Sequence, residues 1–149
     1  MNPHIYRADI TRVVDGDTCD VTLHLGFDIL YKGRVRLTGI DTPESRTRDL
    51  EEKFYGLLSK QFLKELLKGQ EVKLISHDKG KFGRIIGDLI IDPFQITEDV
   101  ITNAGGSVNQ MMIDNNHAVP YFGQSKNDTV QGHLWNRAAL EEKGIKYLK

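Results

Sequence analysis

One cysteine in 149 residues, Cys19, rules out an internal disulfide and leaves no cysteine framework for zinc. Five histidines are present, at positions 4, 24, 77, 117 and 133, and no two stand at the spacing of a metal-ligand pair. No apolar run reaches the ~18 residues of a membrane-spanning helix. The opening stretch, MNPHIYRADI, lacks the basic start and continuous apolar core of a signal peptide, so a cytoplasmic protein is expected. There is no excess of positive charge either. Lys and Arg number 20 against 21 Asp and Glu, for a net charge of −1, and any anion-binding surface must therefore be local. Internal repeats and low-complexity segments are also missing. What remains is an ordinary globular composition, 39% hydrophobic and 28% charged. The length suits one core and is short for two, so residues 1–149 are expected to form one domain. A monomer is the default expectation.

The first half alternates with the period of strands. Residues 5–14 read as one strand, and TCDVTLHL (18–25) as another, with Cys19, Val21, Leu23 and Leu25 on one face. VVDGDT joins them, Asp-Gly being a strong tight-turn signal. A third strand covers about 27–38, with room for a bulge at Gly33. The period then changes. Between Leu50 and Lys68 the apolar residues Phe54, Leu57, Leu58, Phe62, Leu66 and Leu67 fall at helical spacing, and Gly69 stands where a helix stops. Two more strands follow, 71–77 and 84–91, separated by the polar loop DKGKFG. Residues 92–106 read as an irregular hairpin extension. Ser107 is placed to cap a short helix, VNQMMIDNN, then VPYFGQSKND reads as loop, and a last helix runs from Asp128 to Gly144. This order predicts an α+β fold, mainly β: a five-stranded OB-type barrel with about three flanking helices.

Three polar groups lie at the ends of predicted strands. DGDT carries Asp15 and Asp17, RVRLTGIDTPE carries Arg34, Arg36, Asp41 and Glu44, and DKGKFGR carries Lys79, Lys81 and Arg84. Singly, each has a plain explanation: Asp-Gly is more often a turn than a ligand, and an arginine at a strand start is usually a solvated edge charge. Together they say more. Carboxylate oxygens without nearby His or Cys suit calcium or magnesium and not zinc. Arginines beside such a metal suit a phosphate, whose oxygens match the guanidinium fork. A further carboxylate on a turn can position or deprotonate water. Metal, arginines and a water-orienting carboxylate describe phosphodiester hydrolysis.

The motifs VVDGDT, VRLTGIDTPE and KGKFGR, in that order and with the long helix between the second and third, resemble the staphylococcal-nuclease-like, or thermonuclease, family over about residues 7–145. The resemblance implies an OB-type barrel and calcium-dependent cleavage of DNA and RNA, leaving 3′-phosphate ends. It implies that Asp17, Asp41 and the Thr42 carbonyl hold Ca2+, that Glu44 acts on the attacking water, and that Arg36 and Arg84 hold the scissile phosphate. Lys81, Phe82 and Tyr121 are the candidate substrate-binding residues.

This sequence departs from the family pattern in several places. Phe82 stands where the family usually has Tyr, the strongly basic surface of the best-known members is missing, and QITEDVITNAGG has the look of an insertion. The alternative reading is a non-catalytic OB-type module binding nucleic acid or protein. Such modules usually lose the metal aspartates or the arginines, and here all five charged positions are present. Only Phe82 and the Tyr121–Phe122 pair stand out as stacking residues, a thin platform for a dedicated single-strand binder.

Overall fold

The computed structural model describes residues 4–79, 83–92 and 106–148. In chain order they form β1 (His4–Asp15), β2 (Thr18–Gly26), β3 (Ile29–Leu37), the two-residue β4 (Ile40–Asp41), α1 (Leu50–Leu67), β5 (Val72–Lys79), β6 (Ile85–Ile90), α2 (Val108–Asp114), the two-residue β7 (Val119–Pro120) and α3 (Lys126–Glu142). The five long strands close into a barrel in the order β1-β2-β3-β6-β5. All neighbours are antiparallel except β3 and β6, which run parallel. A mainly-β barrel flanked by three helices is the fold class expected above.

Alternation drives the barrel. Cys19, Val21 and Leu23 of β2 point inward, with Val35 and Leu37 of β3, Leu74 of β5 and Leu89 of β6 beside them, each at most 3% exposed. Burial pushes the Cys19 thiol up to about 12, so it behaves as an inert core side chain. Leu25 does not follow its strand: it is 42% exposed, because the barrel has ended before β2 does. Register shifts in β1, between Ile10 and Arg12 and between Val13 and Asp15, bend this long strand across the barrel and end it at the acidic turn.

Helix α1 begins where Asp49 accepts hydrogen bonds from the amides of Glu51 and Glu52, satisfying two otherwise orphan donors. Its buried face is Tyr55, Gly56, Ser59, Leu63, Leu66 and Leu67. That differs from the apolar set expected from periodicity. Leu57 is 46% exposed, while Gly56 and Ser59 face inward because the helix backbone comes too close there for larger groups. A Cβ on Gly56 would stand 2.3 Å from the Glu44 carbonyl oxygen, and a Cβ on Gly16 would stand 2.7 Å from the Ser59 Cβ. Two small residues on one helix face thus let α1 press against both the DGDT turn and the Asp-Thr-Pro-Glu turn. Gly56→Ala gains helix propensity of ~1 kcal/mol but forces backbone against backbone, an overpacking cost of ~1–3 kcal/mol. A net fall in melting temperature is expected, with displacement of Glu44 visible as lost activity.

The second half corrects two boundaries. Val119–Pro120, read as loop from the sequence, pairs with Ile40–Asp41 as a small second sheet. The last helix starts at Lys126, two residues earlier than expected, because Ser125 caps it by accepting from the Asp128 amide. The Ser107 cap and the short helix behind it are present as expected. Lys81, Phe82 and residues 93–105 lie outside the described residues, so two candidate substrate-binding positions and most of the insertion have no structural account.

Candidate active site

The acidic turn and the end of β3 meet through backbone pairing. Thr18 is the register partner of Arg36, and the Leu37 amide donates to the Asp17 carbonyl at 2.8 Å. Asp17 therefore lies beside Arg36 as a consequence of strand register. Its two oxygens divide their work. Oδ1 accepts from the Thr18 hydroxyl at 2.9 Å, and Oδ2 accepts from the Thr42 amide at 3.3 Å. Asp15, at the preceding corner, accepts a hydrogen bond from the Ser45 hydroxyl.

Arg36 is held from behind. Nη1 donates to the Leu37 carbonyl and Nη2 to the Ile40 carbonyl, both at 2.9 Å. The same Nη2 stands 3.4 Å from Asp17 Oδ2 and 3.9 Å from Asp41 Oδ1. One oxygen from each aspartate thus converges on a common region at the mouth of the barrel. The other oxygen of Asp41, Oδ2, is 2.7 Å from Nε2 of His133, which arrives from α3 and is largely buried. Only an N–H on that nitrogen can donate to a carboxylate, so the contact fixes the ring's proton on Nε2.

Glu44 completes the group. Together with Asp41, Thr42, Tyr121 and His133 it lines a cleft of about 570 Å³. Partial desolvation raises its pKa above the ordinary glutamate value, and the negative charges of Asp17, Asp15, Asp41 and Glu52 push it the same way. Carboxylates here outnumber the cations that face them.

That surplus, with two inward-turned hard oxygens, fits a divalent cation of the calcium or magnesium type. Among the described residues no set of three His, Cys, Asp or Glu side chains forms a metal cage. Any ion held between Asp17 and Asp41 would complete its shell from the backbone and solvent, which both of those metals accept.

Arg84 stands immediately before Ile85, the parallel partner of Val35, so it shares the outward parity of Arg36 on the neighbouring strand. Its Nε is buried and has no hydrogen-bond partner, and among the described residues no ion pair reaches it. The structure therefore brings Asp17, Arg36, Asp41, Thr42, Glu44 and Tyr121 to one place and leaves Arg84 on the adjoining strand.

Sequence reasoning missed His133, which lies 92 residues from Asp41 and has no motif around it. It also undercounted the available aromatics, since Trp135 on α3 is 69% exposed.

A family model described as staphylococcal nuclease homologue matches residues 34–145. That span includes Arg36, Asp41, Glu44 and Arg84 but not Asp17, which is tied to them by the contacts above. Endonuclease YhcR of Bacillus subtilis (strain 168) is 30% identical over 125 residues, 78% of this chain and 9% of that protein. An uncharacterized endonuclease of Escherichia coli is 30% identical over 136 residues, 91% of this chain and 74% of the relative. Micrococcal nuclease of Shigella flexneri is 27% identical over 140 residues, 93% of this chain and 71% of that protein. The chain thus spans a small part of the first relative and nearly three quarters of the other two.

Proposed function

The chain belongs to the staphylococcal nuclease homologue family, and from that premise we propose that it is a calcium-dependent endonuclease cleaving DNA and RNA to 3′-phosphate ends. The observation that carries this is the convergence of Asp17 Oδ2 and Asp41 Oδ1 on the Nη2 of Arg36, with Glu44 in the adjoining cleft. Work in the cytoplasm, as a monomer, belongs to the same proposal. No helix among the described residues is long and apolar enough to cross a membrane.

Asp17, Asp41 and the Thr42 carbonyl would hold the calcium ion, which when bound supplies positive charge against the phosphate. Glu44 takes the proton from the attacking water. Without the ion, its pKa is raised by partial burial and by the neighbouring carboxylates. Arg36 and Arg84 donate to the non-bridging oxygens as negative charge builds on the five-coordinate phosphorus, where fixed donors act without reorganising. Water attack forms a new P–O bond, the P–O5′ bond breaks, and the leaving 5′-oxygen takes a proton from solvent. Neither arginine is the acid, since a guanidinium holds its proton far above neutral pH. Tyr121 lines the same cleft and offers a ring to the sugar or base.

Digestion of an end-labelled oligonucleotide, in calcium and then in chelator, tests the reading. Cleavage that needs calcium and leaves 5′-hydroxyl and 3′-phosphate ends is expected. Binding without cleavage in calcium would overturn it in favour of a binding module. Cleavage undiminished by chelator would remove the metal.

His133 contributes by holding Asp41 with one oxygen turned inward. Outer partners of metal ligands typically account for ~10–100-fold in affinity. Calorimetric titration of His133→Ala with calcium should show a loss of ~10-fold, and His133→Gln, which can still donate, should recover part of it.

A further inference from the structure

A molecule with almost no net charge still concentrates cations in one place. Lys60, Lys64 and Lys68 follow one another at every fourth position of α1 and its C-terminal cap, so they share one side of the helix. Across from them lies Arg12 of β1, and the four line a groove of about 500 Å³ with Leu67 and Val13 at its base. None of the four makes an ion pair among the described residues. We propose that this groove is a second nucleic-acid contact, binding the phosphate backbone of a strand whose cleavage takes place at the site described above. The proposal rests on the nuclease reading for the identity of the polyanion, and on charge and geometry for the place.

The spacing favours a linear polyanion over a single small anion. At a 1.5 Å rise per residue, eight residues of helix separate the outer ammonium groups by ~12 Å along the axis. That is the reach of several consecutive phosphates, and is too far for one phosphate to bridge. A lysine is a point charge on a flexible stem, so the contact reads backbone charge and not base sequence.

Position also fits. Lys60 follows Ser59, the residue against which Gly16 of the acidic turn packs, so one end of the groove abuts the loop that carries Asp17. A substrate strand must approach a mouth ringed with Asp15, Asp17, Asp41, Glu44 and Glu52, which repel it. A cationic groove beside that loop offsets the repulsion and raises the local concentration of strand. Four of the chain's 20 Lys and Arg line this groove.

Salt dependence tests this directly. Each phosphate neutralised on a single strand adds ~0.7 to the slope of log affinity against log salt. Binding of a labelled single-stranded oligonucleotide is measured in chelator, so that nothing is cleaved, across a range of salt. The triple variant Lys60→Gln, Lys64→Gln, Lys68→Gln should weaken binding and lower the slope by ~2. A control triple, Lys32→Gln, Lys53→Gln, Lys146→Gln, changes net charge equally at exposed sites elsewhere and should leave the slope near that of the parent. Melting temperatures confirm that both variants fold.

An unchanged slope in the first triple, or an equal fall in the control, overturns the proposal. So does a loss confined to anionic phospholipid vesicles with oligonucleotide binding intact, which would make the groove a membrane contact. The two readings fail separately. A protein that shows the expected slopes but never cleaves in calcium keeps the groove and loses the nuclease assignment. One that cleaves with unaltered slopes does the reverse.

Discussion

Arg84→Lys is expected to lose ~10²–10³-fold in turnover on an oligonucleotide while its melting temperature stays at that of the parent. The first half follows from replacing a planar fork by a point charge at a transition-state donor, whose removal typically costs that much. The second half follows from the fold. Arg84 makes no ion pair among the described residues, and its buried Nε lacks a partner, so the substitution removes an unsatisfied donor and breaks nothing. Arg36→Lys should behave differently. Arg36 spends one Nη on the Leu37 carbonyl and the other on the Ile40 carbonyl, with Asp17 beside it. A lysine cannot reach both carbonyls, so stability should fall by ~1–2 kcal/mol along with the rate. Single-turnover rates and thermal melts on the two variants separate these effects. Near-parental rates in both would mean that the phosphate is not gripped by a guanidinium fork.

Glu44→Gln carries the other large effect. It keeps the side chain's size and reach but removes the basic oxygen, and turnover should fall by ~10² or more while calcium affinity stays within about an order of magnitude. The pH dependence distinguishes a base from a bystander. Turnover in calcium should rise as Glu44 loses its proton, which gives the parent's rate profile an acidic limb. In the variant that limb should vanish.

Stability should move the other way. A carboxyl whose folded pKa lies above its unfolded value favours the fold while protonated, and that advantage is lost as pH rises through the folded value. Above that range the metal-free parent carries an ionised Glu44 among Asp17, Asp15, Asp41 and Glu52, and the neutral glutamine relieves it. In chelator at neutral pH, Glu44→Gln should therefore melt at or above the parent. A variant that melts lower with unchanged turnover would make Glu44 a structural turn residue.

Legibility of this protein in its sequence divides along the range of the interactions. Strands β1, β2 and β3 are readable because alternation and an Asp-Gly turn act over a few residues, and so is α1, whose spacing and terminal Gly69 are local signals. The turn that carries Asp41 and Glu44 is readable because Gly39 and Pro43 interrupt the alternation just after β3, within ten residues of chain. Arg36 is readable as a charge alternating with Val35 and Leu37 at the end of β3.

Other features had no local trace. Which residues of α1 turn inward is not legible because its apolar residues exceed one stripe, and only docking selects Gly56, against the Glu44–Ser45 backbone, and Ser59, against Gly16. The second sheet, pairing Ile40–Asp41 with Val119–Pro120, joins segments too short for periodicity to register. His133 reaches Asp41 across 92 residues. Lys60, Lys64 and Lys68 vanish into a balanced net charge until Arg12 of β1 is folded against them. Steric preference and amphipathic period are written into neighbouring residues. Which cation faces which groove, and which helix steadies which carboxylate, is decided when the barrel closes and distant segments become neighbours.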